Sequence, residues 1–267
     1  MIFAVPLYDD NPVQRPPVVT WLLIGLCIGA YLWQLGQDEN AVAYAFGMIP
    51  AVLFGYSQLP PELAVLSPGA TIFTSMFLHG GVLHLAGNML FLWIFGNNIE
   101  DVLGAFRYLV LYFGSGIAAV FAQAALDPTS QVPMIGASGA IAGVLGAYLV
   151  LYPRANVHVF FWIIIFFRIV AVPAWIILGM WAGMQLISGL ASHPNDPGVA
   201  FWAHVGGFAA GVALILLLRP RRVGLLAPQK TPVFATAPPT ALAGRRTFHT
   251  GSVPDASRSP FRRPPGW

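Results

Sequence analysis

The chain has 267 residues, of which 57% are hydrophobic and only 9% are charged, whereas a typical soluble domain is about 25% charged. This composition excludes an ordinary soluble protein and indicates a membrane protein. Cys27 is the only cysteine, which excludes an intramolecular disulfide and a metal cluster built from cysteines. The formal net charge of +3 becomes informative only through its distribution along the chain.

Six apolar segments are predicted to be membrane-spanning helices, because about 20 mainly apolar residues cross the hydrocarbon core of a bilayer. The predicted spans cover roughly residues 18–36, 77–96, 108–126, 136–152, 169–190 and 200–218. The predicted fold class is all-α, a polytopic bundle of six transmembrane helices over residues 18–218. Residues 1–17 are predicted to be a cytosolic segment. Residues 219–267 contain nine prolines and nine basic residues, which predicts a disordered cytosolic tail.

The stretch between residues 157 and 190 is too long for one span and too short for two spans with a loop. Arg168 lies near its middle, and an arginine at the centre of a membrane helix costs about 2.5–3.5 kcal/mol. We therefore place Arg168 at the membrane edge. Residues Val157 to Phe167 are then predicted to be an interfacial or partly re-entrant piece. The fifth span is predicted to start near Ile169, with Pro173 in its first turn.

The basic residues lie on one side of the six predicted spans. Arg15 precedes span one, Arg107 follows span two, Arg154 and Arg168 follow span four, and the other nine Lys and Arg residues follow span six. The three loops on the opposite side contain none. Since basic residues accumulate on the cytoplasmic side of a membrane protein, this distribution predicts that both termini are cytosolic.

Several polar residues share one predicted depth in the membrane. They are His79, His84, Asn88, Ser138 and His204. Spans two, four and six all enter from the extracytoplasmic side, and each of these residues lies at or near the start of one of them. At a rise of about 1.5 Å per residue, they are expected within roughly two or three turns of the outer surface. Polar groups inside membrane spans are candidates for function, since they are costly to bury without partners.

Ser138 and His204 would supply a nucleophile and a base for peptide hydrolysis. A serine hydroxyl needs a base to remove its proton, and histidine suits that role near neutral pH. All ten Asp and Glu residues lie in loops or at span ends, so no carboxylate is expected to orient the histidine. The prediction is a catalytic dyad in which packing orients His204.

Three further groups are predicted to stabilise the negative charge that develops on the substrate oxygen. A helix that begins at Ser138 points unpaired backbone N–H groups towards the reacting atoms. His84 and Asn88 lie four residues apart on one helix face, so both can donate hydrogen bonds to the same oxygen. His79 lies about 140° further round that helix and is predicted to close the site or to order water.

Small residues are predicted to let the two reactive helices approach closely. The pairs with the required spacing of four residues are Gly207 with Gly211 and Gly139 with Gly143. Such spacing is typical of membrane helices whose backbones touch. We therefore expect the helix of His204 to lie directly against the helix of Ser138.

Each polar residue also has an ordinary structural interpretation. Ser138 could be a packing residue among glycines, and His204 could hydrogen-bond a neighbouring helix. Glu100 and Asp101 are interpreted as a cytosolic pair at the start of a helix. The shared depth of the polar residues is what favours a functional site over these interpretations.

Other classes of protease are excluded by their motifs. The nucleophile elbow of soluble hydrolases requires Gly-x-Ser-x-Gly, but position 140 is Ala. A zinc protease requires His-Glu-x-x-His, but His79 and His84 are separated by four residues without an acid. An intramembrane aspartyl protease requires two aspartates within spans, and the predicted spans contain none.

At these residues the sequence resembles the rhomboids, a family of serine proteases that cut transmembrane segments of other proteins. The matching motifs are FLHGGVLH at 77–84 followed by Asn88 and Met89, GNNIED at 96–101, GASG at 136–139, and AHVGGF at 203–208 followed by Gly211. The resemblance runs from Asp9 to about Pro220 and is to the bacterial six-span type.

The resemblance implies a six-helix fold around a water-filled cavity that opens to the outside, with Ser138 as nucleophile and His204 as base. It assigns His84, Asn88 and the Ser138 backbone N–H to the oxyanion hole. The residues expected to support the site are His79, Gly136, Gly139, Gly207 and Gly211. No metal and no organic cofactor are expected.

The resemblance also implies partners and movements. The expected partners are transmembrane protein substrates and the lipid bilayer, without nucleic acid, and the expected location is the bacterial inner membrane. The first loop, residues 37–76, is expected to lie partly in the outer leaflet. The fifth span and loop 191–199 are expected to move as a gate for substrate.

Two positions depart from the family pattern. Many relatives have Trp-Arg where this chain has Ala70-Thr71, and some have an aromatic residue where it has Ala142. His204 is then expected to be held by other packing. The alternative function is a non-catalytic rhomboid-like protein that binds membrane segments, although such relatives typically lack the serine or the histidine. A transporter is disfavoured, because paired mid-membrane charges and internal repeats are missing.

Overall fold

Most of the residues that the structure describes fold into helices. The computed structural model describes residues 2–163, 166–192 and 199–226. Its helices are α1 (Val18–Gln34), α2 (Glu39–Phe46), α3 (Pro50–Leu53), α4 (Pro68–Thr74), α5 (Val82–Phe91), α6 (Asn97–Leu103), α7 (Ala105–Ala124), α8 (Ser138–Leu151), α9 (Ala174–Ala191) and α10 (Phe201–Leu218). The strands are β1 (Ile2–Asp9), β2 (Asn156–Ile163) and β3 (Phe166–Pro173). Most of the predicted tail and of the predicted gate loop lies outside the described residues.

Four helices in the described part of the chain are long and apolar enough to cross a membrane. They are Val82–Leu103, in which a π-helical turn at Leu92–Gly96 joins α5 to α6, and the helices α7, α9 and α10. Helices α1 and α8 are apolar but shorter, at 17 and 14 residues. The prediction of an integral membrane protein is confirmed. Each of the six predicted spans overlaps one of these six helices. Four of the helices are long and apolar enough to be spans.

The described residues are mostly helical, but the all-α prediction fails at the N-terminus and between α8 and α9, where three strands form an antiparallel sheet in the order β1-β2-β3. Val5 pairs with Phe160, which pairs with Ile169 on its other side. The predicted interfacial piece, Val157 to Phe167, is therefore strand in its described residues: 157–163 belong to β2, which pairs with β1 and β3, and 166–167 begin β3. Its valine and aromatic residues favour strands, and pairing on both sides of β2 satisfies backbone groups that a re-entrant piece would leave open.

The fifth apolar helix starts later than predicted. Arg168 and Ile169 belong to β3, and α9 begins at Ala174. Pro173 precedes the helix as its N-cap residue instead of lying in its first turn. The strand ends there because proline has no N–H to donate to the ladder. Arg168 thus lies outside the described helices, and its side chain is exposed.

The acidic pair Glu100 and Asp101, in the middle of α6, binds the start of α1. The carboxylate of Glu100 is buried and accepts hydrogen bonds from Val19 N, Thr20 N and Thr20 Oγ1 at 2.8–2.9 Å. Asp101 accepts from the backbone N–H groups that precede α1. Glu100 and Asp101 therefore do lie at the start of a helix. That helix is α1, which is distant from them in sequence. A negative charge at this position satisfies unpaired N–H groups and complements the helix dipole.

Helices α2, α3 and α4 occupy the first loop. Thr74 Oγ1 donates to Phe46 O at 2.6 Å, which ties α4 to the end of α2. Thr71 Oγ1 donates to Pro68 O at 2.7 Å within α4. Met48 and Met134 form an isolated antiparallel bridge that fastens this loop to the segment before α8. Its depth in the outer leaflet stays a prediction.

Helix α8 lies in the centre of the bundle. Every residue from Gly139 to Tyr148 is buried, and the neighbouring core contains Phe95, Tyr108, Tyr112 and Ile215. A helix that is apolar on all faces is expected to be enclosed by protein. Since α8 starts at Ser138, the fold places this serine at the end of its innermost helix.

Candidate active site

The structure brings the predicted nucleophile and base into hydrogen-bond contact. Ser138 is the first residue of α8, and His204 lies in the first turn of α10. The distance between Ser138 Oγ and His204 Nε2 is 2.8 Å. Both side chains are half-buried. A hydroxyl proton can pass directly to a ring nitrogen at this distance.

Glycines let the two helices approach this closely. A Cβ atom at Gly207 would lie 2.1 Å from Gly139 O, and one at Gly211 would lie 1.9 Å from Gly143 O. Both distances are far below any real Cβ contact, so the backbones of α8 and α10 touch at these two levels. The contact nearer the site lies one turn or less from Ser138 and His204, and it sets their separation.

The segment before Ser138 requires glycine for a different reason. Gly136 has φ +128°, a backbone conformation that favours glycine. Its N–H donates to Ser75 O at 2.8 Å. A Cβ atom at this position would lie 2.9 Å from His84 Nε2 and 3.6 Å from Ser138 Oγ. The absence of a side chain at Gly136 therefore leaves room for the side chains of His84 and Ser138.

Of the predicted oxyanion residues, His84 and Asn88 lie on α5. The His84 ring lies beside Gly136 and 5.2 Å from the His79 ring, measured between centroids. Asn88 is buried, and its Nδ2 has no hydrogen-bond partner among the described residues. A buried donor without a partner is unfavourable. It is available to a negatively charged oxygen that forms during a reaction.

His79 is fastened to α1 and does not reach the serine through a hydrogen bond. Gln34 Oε1 accepts from His79 N at 3.0 Å, and Gln34 Nε2 donates to His79 O at 3.2 Å. The ring donates from Nδ1 to Phe77 O at 3.2 Å. This arrangement fixes the turn that leads into α5 and suits the predicted supporting role of His79.

A residue that the sequence reasoning missed completes the contacts of the histidine. Gln185 lies on α9, and its Oε1 is 2.7 Å from His204 Nδ1. Its side chain is buried, at 8% exposure. The available signal was a polar amide in a mainly apolar segment, which is a candidate for function by the rule that selected Ser138 and His204.

A second missed residue packs on the same ring. The ring centroids of Trp181 and His204 are 5.7 Å apart at an interplanar angle of 37°. Ala142, where some relatives have an aromatic residue, is fully buried in α8. The His204 ring is therefore in contact with an aromatic side chain from α9, as the expectation of other packing requires.

A small cavity opens beside the serine. Its volume is about 40 Å³, and its lining includes Ser138, Met76, Gly116, Ala119 and Met134. A cavity needs about 10–15 Å³ to hold one water molecule, so this space accepts water or a small side chain. No group of three or more His, Cys, Asp or Glu residues in the described ranges could hold a metal ion; metal-free chemistry stays a prediction.

Comparison with known proteins identifies the family. The model of the Rhomboid domain matches residues 69–221, more than half of the chain. RHOMBOID-like protein 4 of Arabidopsis thaliana is 34% identical over 222 residues, 82% of this chain and 50% of that protein. Rhomboid protease GluP of Bacillus subtilis is 42% identical over 78 residues, 29% of this chain and 15% of GluP. Rhomboid protein 1, mitochondrial, of Saccharomyces cerevisiae is 32% identical over 139 residues, 46% of this chain and 40% of that protein.

The match of the domain model covers every predicted site residue, from His79 to Gly211. The chain spans half or less of the length of the three relatives named above. The apolar helices of the structure agree with a membrane-embedded domain. The resemblance inferred from the motifs is confirmed, and the chain belongs to the rhomboid family.

Proposed function

We propose that this protein is an intramembrane serine endopeptidase that cleaves transmembrane segments of other membrane proteins near the extracytoplasmic face. The observation that carries the proposal is the 2.8 Å contact between Ser138 Oγ and His204 Nε2 at the ends of two apolar helices. Rhomboids are in general serine intramembrane proteases, and one relative carries protease in its name. A contact of this kind has no evident structural need, because α8 and α10 already pack through glycine.

The first half of the reaction follows from the positions of the two side chains. His204 Nε2 accepts the proton of Ser138 Oγ while the oxygen attacks the carbonyl carbon of the scissile peptide bond. The carbonyl oxygen then carries a negative charge. The Ser138 backbone N–H, the Asn88 amide and the His84 ring are proposed to donate hydrogen bonds to it.

The second half of the reaction returns both side chains to their starting state. The imidazolium of His204 donates its proton to the leaving amine, which breaks the peptide bond and leaves an acyl group on Ser138. Water then attacks the acyl carbon and gives a proton to His204 Nε2. The acid product leaves when the serine oxygen recovers that proton.

The proposed orientation has six spans, both termini in the cytosol and the serine near the opposite surface. Ser138 begins α8, while Arg154 follows its end. A helix of 14 residues is about 20 Å long, so the first basic residue after α8 lies about one helix length from the nucleophile. The positive-inside rule then puts the sheet in the cytosol. Location in a bacterial inner membrane stays a prediction, since the relatives come from a bacterium, a plant and yeast.

A direct assay tests the proposal. A model single-span protein in liposomes is incubated with the parent protein, Ser138→Ala or His204→Ala, and the fragments are measured. The parent is expected to cut, and both variants are expected to lose cleavage while keeping the parent's thermal unfolding profile. Cleavage by Ser138→Ala at the parent's rate would show that the nucleophile is misassigned.

A fluorophosphonate probe separates the peptidase from a non-catalytic binder. Such a probe reacts only with an activated serine. Labelling of Ser138 that disappears in His204→Ala is expected for the enzyme. Folded parent protein that binds single-span segments but takes up no probe would favour the binder.

A further inference from the structure

We infer that Gln185 is a positioning residue that keeps the ring of His204 in the tautomer required of a base; this role rests on the proposed peptidase function. Gln185 Oε1 lies 2.7 Å from His204 Nδ1, and the same ring reaches Ser138 through Nε2. The ring is thus held at both nitrogens by two different helices.

The chemistry of the two contacts determines where the ring proton sits. A neutral imidazole carries one N–H, and the other nitrogen accepts. An amide oxygen accepts hydrogen bonds and does not donate, so the N–H lies on Nδ1. Nε2 then presents its lone pair to the hydroxyl of Ser138. Without an acceptor at Nδ1 the proton could move to Nε2, and that tautomer cannot remove a proton from the serine.

The same contact persists through the reaction. When His204 becomes an imidazolium, its Nδ1–H still donates to Gln185 Oε1. A hydrogen bond from a charged donor is stronger than a neutral one, so the amide stabilises the charged ring more than the neutral ring. An amide therefore supplies in part what a carboxylate supplies in a serine–histidine–acid triad.

The burial of Gln185 supports a specific role for its hydrogen bond with His204. Gln185 is 8% exposed, whereas Met184 and Ile187 on the same helix are 58% and 69% exposed. The amide thus points into the protein from a helix whose neighbouring residues point out. Burying an amide is costly unless its groups are paired, and the amide oxygen of Gln185 is paired with the His204 ring.

Trp181 adds a second contact from the same face of α9. It precedes Gln185 by four residues, so the two side chains lie one above the other. Its ring packs against the His204 ring at 5.7 Å between centroids and against Phe208 at 6.2 Å. Position 142 on α8 holds only a methyl group, so the aromatic contact of the His204 ring comes from α9. Trp181 limits where the ring lies, and Gln185 selects its protonated nitrogen.

An ordinary alternative is that Gln185 only joins α9 to α10. Interhelical hydrogen bonds do stabilise membrane proteins modestly. That alternative predicts lower stability on removal of the amide, but no effect on the tautomer and no shift of the pH profile. These readouts therefore decide between the two roles.

The first experiment measures the tautomer and does not require activity. Histidine labelled with ¹⁵N in the ring is introduced into the parent and into Gln185→Leu, both in the Ser138→Ala background. The parent is expected to show His204 with its proton on Nδ1, and Gln185→Leu is expected to show a substantial population protonated on Nε2. An Nδ1–H tautomer of equal population in both proteins would overturn the inference. Because no cleavage is measured, this result is independent of the proposed function.

The second experiment measures rates over pH. Gln185→Leu is expected to lower kcat or the rate of fluorophosphonate labelling by roughly 10- to 1,000-fold, with KM changed less than about twofold. Gln185→Glu restores an acceptor and is expected to recover most of the rate. An ionised carboxylate also favours the imidazolium, so the acidic limb of its profile should move to higher pH. The other titratable side chain acting on His204 is His84, which all these variants retain.

Two controls match these variants. Gln123 on α7 accepts at Oε1 from Trp202 N and Ala203 N, at 3.1 and 3.2 Å, in the first turn of α10. Gln123→Leu therefore removes an amide that binds the start of the His204 helix without a contact to the His204 ring. Gln123→Leu is expected to lower the stability of the protein and to leave the midpoint of the acidic limb of the pH–rate profile unchanged. Met184→Leu, next to Gln185 but exposed, is expected to behave as the parent. Equal rates for Gln185→Leu and the parent, or a Gln185→Glu variant as slow as Gln185→Leu, would overturn the inference.

Discussion

Gly211 of α10 lies so close to Gly143 of α8 that a Cβ atom on Gly211 would be 1.9 Å from the Gly143 carbonyl oxygen. The obstacle is backbone, which cannot rotate away as a side chain can. These two helices carry Ser138 and His204 at their ends. The packing of a pair of glycines thus controls the geometry of a pair of reactive atoms.

Gly211→Ala is expected to force α8 and α10 apart. Overpacking of a well-packed contact costs about 1–3 kcal/mol, and the wider separation should lengthen the Ser138–His204 contact. We expect a lower thermal midpoint in detergent and slower probe labelling of Ser138. Gly179→Ala is the matched control, since a Cβ atom at Gly179 meets nothing within 4 Å. A Gly211→Ala variant as stable and as reactive as Gly179→Ala would contradict this packing.

The cavity beside Ser138 predicts which residue precedes the cut in a substrate. Met76 is 3% exposed and forms part of the wall, so Met76→Ala should enlarge the space. We expect the ratio of kcat/KM for leucine over alanine at the cut to rise about tenfold, which is typical for a few extra methylenes accommodated in a pocket. Met180→Ala, 69% exposed on α9, should leave the ratio unchanged. A ratio that is the same in both variants would place the substrate side chain elsewhere.

Removal of the Glu100 carboxylate should loosen the start of α1. Glu100→Ala leaves the N–H groups of Val19 and Thr20 and the Thr20 hydroxyl without their acceptor. Buried donors left unpaired cost about 1–3 kcal/mol each, so the free energy of unfolding should fall clearly. Denaturant or thermal unfolding in detergent measures the change. The exposed Glu62 is the control: if Glu62→Ala destabilised the protein as much as Glu100→Ala, the loss would reflect charge alone.

Asp9 is expected to make stability depend on pH. Burial raises the pKa of its carboxyl from 3.8 to about 7, although Tyr148 and Asn98 donate hydrogen bonds to it. Between about pH 4 and pH 7 the folded protein then binds more protons at Asp9 than the unfolded chain, so this group's contribution to stability is full below about pH 4 and is lost as the pH rises to about 7.

The measurement for Asp9 is a comparison of thermal midpoints in detergent at pH 5 and pH 7.5. Asp9→Asn cannot ionise, so the parent should lose more stability over this interval than the variant. Glu62→Gln, at an exposed carboxylate far from Asp9 in sequence, serves as the control for a general effect of charge. A parent and an Asp9→Asn variant whose midpoints change in parallel would show that Asp9 does not titrate in this interval.

Much of the candidate site could be predicted from the sequence because its signals are local. The start of a helix at Ser138, the four-residue spacing of Gly207 and Gly211, and a histidine in an apolar segment are all visible along the chain. The apolar runs also located the helices, although α9 begins five residues after the predicted start at Ile169.

The membrane environment, the family and the candidate nucleophile and base follow from the amino-acid sequence, since hydropathy and short motifs depend on neighbouring residues only. The remaining features depend on contacts between residues that are distant along the chain. Strand β1 pairs with β2, which lies more than 140 residues later in the sequence. No local pattern in residues 1–17 predicts that pairing. Gln185 and Trp181 acquire their roles only where α9 packs against α10. An amide or an indole in an apolar helix is ambiguous until the group it faces is known, because hydrogen bonds and ring contacts are properties of pairs.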